Sequence, residues 1–118
     1  MKEAQIQSAI VKYLRLVLPK NYRCFAVPNG SQRLPNGRPA NAVAGLTPGV
    51  PDLAIVGDGR IFFIEVKSKK GRLSEAQSEW GDFCIYQAMV PWACVHSVDE
   101  TRHALNEWGI KTKESVQC

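Results

Sequence analysis

The sequence predicts an α/β protein with a central mixed four-stranded sheet flanked by helices, in the order α-β-β-β-α-β-α. Three observations lead there. Apolar residues recur at helical spacing near the N-terminus. Two apolar runs in the middle of the chain are joined by Gly57-Asp58-Gly59. A second helical pattern, one more short apolar run and a third helical pattern then follow. With 118 residues, 45% hydrophobic and 22% charged, the chain is expected to form a single domain over residues 1–118, long enough for one core and too short for two.

Between Glu3 and Leu18 the residues Ile6, Ile10, Tyr13, Leu14 and Val17 make one stripe, with Lys12 and Arg15 opposite, and Pro19 ends this amphipathic helix. Glu3 stands a turn before Ile6, where it either extends the inward-facing stripe or favours the positive end of the helix dipole. Arg23–Val27 reads as a short strand. Pro28–Val50 is rich in Gly, Pro and Asn and reads as a long loop, either a surface excursion or a binding element carrying Asn29, Arg33 and Arg38. Its close, Thr47-Pro48-Gly49-Val50-Pro51, is constrained backbone that presents Asp52.

Asp52–Val56 and Arg60–Lys67 read as antiparallel strands around the Gly57–Gly59 turn. Ser68–Leu73 is a basic connection. Ser74 with Gln77 three positions on is a capping box, opening a helix whose expected inward face is Ala76, Trp80, Phe83, Cys84 and Ala88, with Gly81 weakening it. Pro91–Val98 reads as the last strand. Ser97 or Asp99 caps the final helix, whose stripe is Ala104, Leu105 and Trp108, with Gly109 as its stop; the polar tail from Lys111 to Cys118 is expected to fray.

No apolar run approaches the roughly 20 residues that span a bilayer, and Met1-Lys2-Glu3 leads directly into a helix instead of a signal-like segment, so a cytoplasmic protein with no membrane partner is expected. The four cysteines are widely spaced, and three lie in apolar segments, where thiols behave as small hydrophobes. A net charge of +4 is modest, but its distribution is informative. Lys69, Lys70 and Arg72, with Arg33 and Arg38 of the loop, bracket an acidic centre, a pattern suited to a polyanion drawn towards a metal site.

That centre comes from strand alternation. Glu65 and Lys67 share a face with Ile61 and Phe63, while Phe62, Ile64 and Val66 take the other. Ionised groups at the end of an apolar ladder are costly unless paired or metal-bound. Asp52 and Glu65 supply the hard oxygens that Mg²⁺ or Mn²⁺ prefers, and Lys67, about 6.6 Å along the strand from Glu65, suits charge stabilisation at a phosphate. No organic cofactor is expected. The same residues read equally as an ion pair at a strand end with Asp52 capping a turn.

The combination of Pro51-Asp52, an apolar strand pair and Glu65-Val66-Lys67 resembles the PD-(D/E)xK nuclease superfamily. The wider run is similar to its VRR-NUC family: a helix bearing Glu3 and Gln7, Pro28-Asn29-Gly30, G-x-x-x-G-V-P-D from Gly45, E-V-K-S from Glu65, and G-R-L-S-x-x-Q ending at Gln77. The resemblance extends from Glu3 to about Trp108 and implies a standalone module with a restriction-endonuclease-like core. By it, Glu3 assists the metal site, Asp52, Glu65 and the Val66 carbonyl are ligands, Lys67 is the catalytic lysine and Gln77 is a helical glutamine at the site. The implied protein is a Mg²⁺- or Mn²⁺-dependent homodimeric endonuclease for branched or structured DNA, including four-way junctions. The alternatives are an inert DNA-binding module on the same scaffold and a sequence-specific restriction-type nuclease.

Overall fold

The computed structural model describes residues 1–28 and 44–114. In chain order these form α1 (Glu3–Val17), β1 (Tyr22–Ala26), β2 (Leu53–Gly57), β3 (Arg60–Val66), α2 (Glu75–Asp82), β4 (Trp92–Val95) and α3 (Val98–Glu107), with α2 running on into a π-helical segment, Phe83–Ala88. The four strands form one sheet in the order β1-β2-β3-β4. β1 pairs antiparallel with β2, β2 antiparallel with β3, and β3 parallel with β4. A parallel pair cannot be joined by a hairpin, so α2 and the π-helical turn make the crossover. The predicted mixed sheet and element order are therefore those observed. No described helix is long and apolar enough to cross a membrane.

The core lies on one face of the sheet. The α1 stripe of Ile6, Ile10, Tyr13, Leu14 and Val17 packs with Leu53 and Ile55 of β2, Phe62, Ile64 and Val66 of β3, Val95 and Leu105. Trp108 stacks on Phe62 at 5.2 Å between ring centroids, and Arg60 lies over the same ring while donating to the Trp108 carbonyl at 2.8 Å. The hairpin between β2 and β3 is tighter than expected. Asp58 and Gly59, both at positive φ, form the turn, so Gly57 belongs to β2 and pairs with Arg60.

Three further local expectations are corrected. β4 ends at Val95, short of Val98, because the Ser97 hydroxyl accepts from the Glu100 N–H at 3.1 Å and starts α3. The tail does not fray as far as it is described. Ile110 and Thr112 are buried, the Lys113 N–H donates to the Val17 carbonyl at 2.8 Å, and Tyr13 donates to Glu114 at 2.6 Å. Burial and the Glu114 carboxylate together push the Tyr13 phenol up to about 12.

The third correction concerns the second helix. Cys84 is buried as expected, but Phe83 and Ala88 are exposed. The π-helical turn adds residues per turn, which carries Ala88 at its end off the 3.6-residue stripe, while Phe83 at its start packs edge-on against Trp80. Gly81, read from sequence as a weak point, is the contact itself, since a Cβ there would lie 2.9 Å from the Trp92 ring. Alanine should gain up to about 1 kcal/mol of helix propensity but lose about 1–3 kcal/mol by overpacking against a rigid indole. Gly81→Ala is therefore expected to lower the urea midpoint with no change in the slope of the unfolding transition. A midpoint equal to wild type or higher would show that the helix can back away from Trp92.

Candidate active site

The C-terminal end of β3, the segment entering β2, the start of α2 and the start of α1 meet at one point. β3 carries Glu65 there with only 1% of its surface exposed, facing away from the main core. One carboxylate oxygen, Oε2, accepts from Gln77 Nε2 at 3.1 Å, while the other, Oε1, is buried without a hydrogen-bond partner. Gln77 also makes the predicted capping box. Its Oε1 accepts from the Ser74 N–H at 2.8 Å and its own N–H donates to the Ser74 hydroxyl at 3.1 Å. Because the carbonyl end is held by a donor, the amide NH₂ is directed at Glu65.

Asp52 stands immediately before β2, and its Oδ2 accepts from the Val66 N–H at 2.7 Å. In a strand the N–H and C=O of one residue point to the same side, so the Val66 carbonyl also faces Asp52. The loop that delivers Asp52 lies directly against α2. Gly49 has φ of +87°, and a Cβ there would fall 2.6 Å from the Ala76 backbone. Only glycine combines that dihedral with that approach, which ties Asp52 to the helix that holds Gln77.

Burial raises the Glu65 carboxyl first, and the neighbouring Asp52 raises it further, while Lys67 opposes them; the result is pushed up to about 9. In the absence of a cation Glu65 thus carries a proton at neutral pH. Lys67 follows β3, is nearly buried, and places its Nζ 4.0 Å from Glu3 Oε1 at the N-terminal end of α1. Glu3 itself is half-exposed. It therefore meets the site through Lys67 and does not sit on the apolar stripe.

The geometry suits a small, hard cation on one side. Among the described residues no three His, Cys, Asp or Glu side chains form a ready-made metal cluster. Mg²⁺ needs only one or two carboxylates besides waters and substrate oxygens, and the Glu65 carboxylate with its orphaned Oε1, the neighbouring Asp52 and the Val66 carbonyl facing Asp52 are donors of that kind. A buried carboxylate oxygen with no donor is expensive unless a proton or a cation satisfies it.

Lys69, Lys70 and Arg72 are exposed in the connection after β3, next to this site in sequence. Asn29, Arg33 and Arg38 lie outside the described residues. Sequence reasoning missed the His96 contact. His96 Nδ1 lies 2.9 Å from Glu100 Oε1, and the His96 N–H bonds the same oxygen at 3.1 Å, so this carboxylate caps the end of β4. The i, i+4 spacing of His96 and Glu100 was the available signal.

A family model described as the VRR-NUC domain matches residues 1–99. Comparison with curated proteins and with solved structures gave no match.

Proposed function

This chain belongs to the VRR-NUC family, a family of nucleases, and on that premise we propose that it is a divalent-metal-dependent, structure-selective DNA endonuclease hydrolysing phosphodiester bonds, with four-way junctions among its substrates. The observation that carries the reading is the buried Glu65 carboxylate, held on one oxygen by Gln77, unsatisfied on the other and adjoining an Asp52 that is itself anchored to Val66.

Asp52, Glu65 and the Val66 carbonyl would hold Mg²⁺ or Mn²⁺. When bound, such a cation polarises the scissile phosphate and lowers the pKa of a water. The protein's own part is electrostatic and positional. Lys67 presents a compact positive charge to the phosphate oxygens as negative charge grows on them, and Glu3 keeps its ammonium directed into the site. Gln77 holds one oxygen of the Glu65 carboxylate, which limits its rotation and leaves the other oxygen for the cation. Lys69, Lys70 and Arg72, with Asn29, Arg33 and Arg38 of the loop, are proposed to contact the DNA backbone. A homodimer is the proposed assembly. Its support is apolar surface on the sheet face that carries Glu65, where Phe25 and Val56 stand exposed, and on the nearby π-helical turn at Phe83.

The deciding experiment is cleavage of a panel of duplex, flap and four-way DNA substrates with and without Mg²⁺ or Mn²⁺, alongside calorimetric titration of Mn²⁺. Metal-dependent cutting concentrated on branched substrates is the expected result. Cutting confined to one duplex sequence would identify a restriction-type nuclease. Absence of both cutting and Mn²⁺ binding would leave a DNA-binding scaffold.

A further inference from the structure

A second positively charged feature lies at the other end of α1. A cavity of about 340 Å³ is formed where the end of α1 meets the edge strand β1 and the C-terminal tail. Leu18 and Tyr22 help to line it, and four cationic residues surround it: Arg15, Lys20, Arg23 and Lys113. All four are exposed, and no carboxylate is among the described residues lining the cavity. Among the described residues none of the four enters an ion pair, whereas Arg102 binds Asp99 and Glu114, and Lys67 faces Glu3.

Four like charges around one concavity repel one another, and a concave wall with an apolar floor concentrates their field. A ligand with several spaced negative charges relieves that repulsion. The spacing to the catalytic centre narrows the choice. Arg15 is twelve residues beyond Glu3 on the same helix, a distance of about 18 Å at 1.5 Å per residue. At about 3.4 Å per base pair, that is roughly five base pairs of duplex between Glu3, at the edge of the site, and the groove. The described part of the molecule extends 47 Å along its longest axis, long enough to reach both points on one duplex or on two arms of a branch.

We propose that this groove is a second DNA-backbone site, which grips phosphates about half a helical turn or more from the cleaved bond; the proposal rests on the nuclease reading above. The residues come from α1, the turn after it, β1 and the tail, and the tail is held in place by the Lys113 N–H bond to Val17 and the Tyr13–Glu114 bond. The groove supplies affinity and orientation without touching the reacting atoms, so its loss should raise KM and leave kcat unchanged.

The test uses the full chain and a fluorescein-labelled 30-base-pair duplex, with anisotropy read from 50 to 300 mM KCl without divalent metal, followed by cleavage kinetics on a four-way junction with Mg²⁺. The fourfold variant R15Q/K20Q/R23Q/K113Q should flatten the slope of log K against log salt by about 3–4, because each phosphate contact contributes about 0.9. Its KM should rise at least about tenfold at 150 mM salt, with kcat at the wild-type value. The variant R15K/R23K keeps the charge and should keep the slope, and K20Q/K113Q, which alters two exposed side chains, should flatten it by about 2 even if the fourfold variant does not fold. A wild-type slope in both neutralised variants would overturn the groove while leaving the nuclease intact. Wild-type protein that neither binds nor cuts DNA would overturn the nuclease reading itself, and the groove with it.

Discussion

Glu65→Gln is expected to abolish cleavage, by at least about 10³-fold, and at the same time to make the metal-free protein more stable. The two effects come from one carboxylate. Glu65 has its folded pKa raised to about 9 by burial and by Asp52, against an ordinary value of 4.5. Between those values the folded chain binds one more proton than the unfolded chain. Stability of the metal-free protein therefore falls as pH rises through that window and levels off above it.

Glutamine has the same shape, still accepts the Gln77 bond and needs no proton. Glu65→Gln should accordingly remove most of this slope and raise the melting temperature of the apo protein near pH 8 by several degrees. Mn²⁺ should reverse the order, stabilising the wild type by mass action and leaving the variant unchanged. Melting curves from pH 5 to 9 with and without Mn²⁺ provide the measurement. Parallel pH profiles for the two proteins, or cleavage by the variant at the wild-type rate, would remove the basis for a metal-binding Glu65.

Lys67→Met should lower kcat by about 10²–10³-fold with little change in DNA affinity. Methionine keeps the apolar stem that fits this nearly buried position and removes only the charge. Lys67 is also the group that opposes the rise in the Glu65 pKa, so without it metal binding should demand a higher pH and the activity profile should move to the alkaline side. Glu3→Gln should show a smaller loss, because it removes an ion-pair partner at 4.0 Å and leaves the ammonium in place. Unchanged kcat in Lys67→Met, measured at saturating DNA, would assign this lysine to packing alone.

Much of the arrangement was legible before any coordinates. The alternation in Arg60–Lys67 put Glu65 and Phe62 on opposite faces, and the sheet keeps them there because a strand has no other way to dispose its side chains. The spacing of Ser74 and Gln77 announced the capping box, and that box leaves one end of the Gln77 amide free to reach Glu65. The limits of local pattern show at the second helix. A 3.6-residue stripe assumes a regular helix, and no single residue in Phe83–Ala88 marks the π-helical turn, in which Cys84 is buried and Ala88 is exposed. Gly81 was misjudged for the related reason that propensity describes an isolated helix, while the close approach belongs to Trp92 on another element.

The sequence by itself determined the α/β class, the element order, the acidic strand end and the family, because periodicity, turn chemistry and motif spacing are properties of neighbouring residues. Tertiary structure alone decided that Glu65 is buried with one oxygen unsatisfied, that Asp52 is tied to Val66, that Glu3 meets Lys67, and that Arg15, Lys20, Arg23 and Lys113 surround one groove. Burial, electrostatic coupling and the merging of charges from separate elements depend on distances through space, which the order of residues along the chain does not contain.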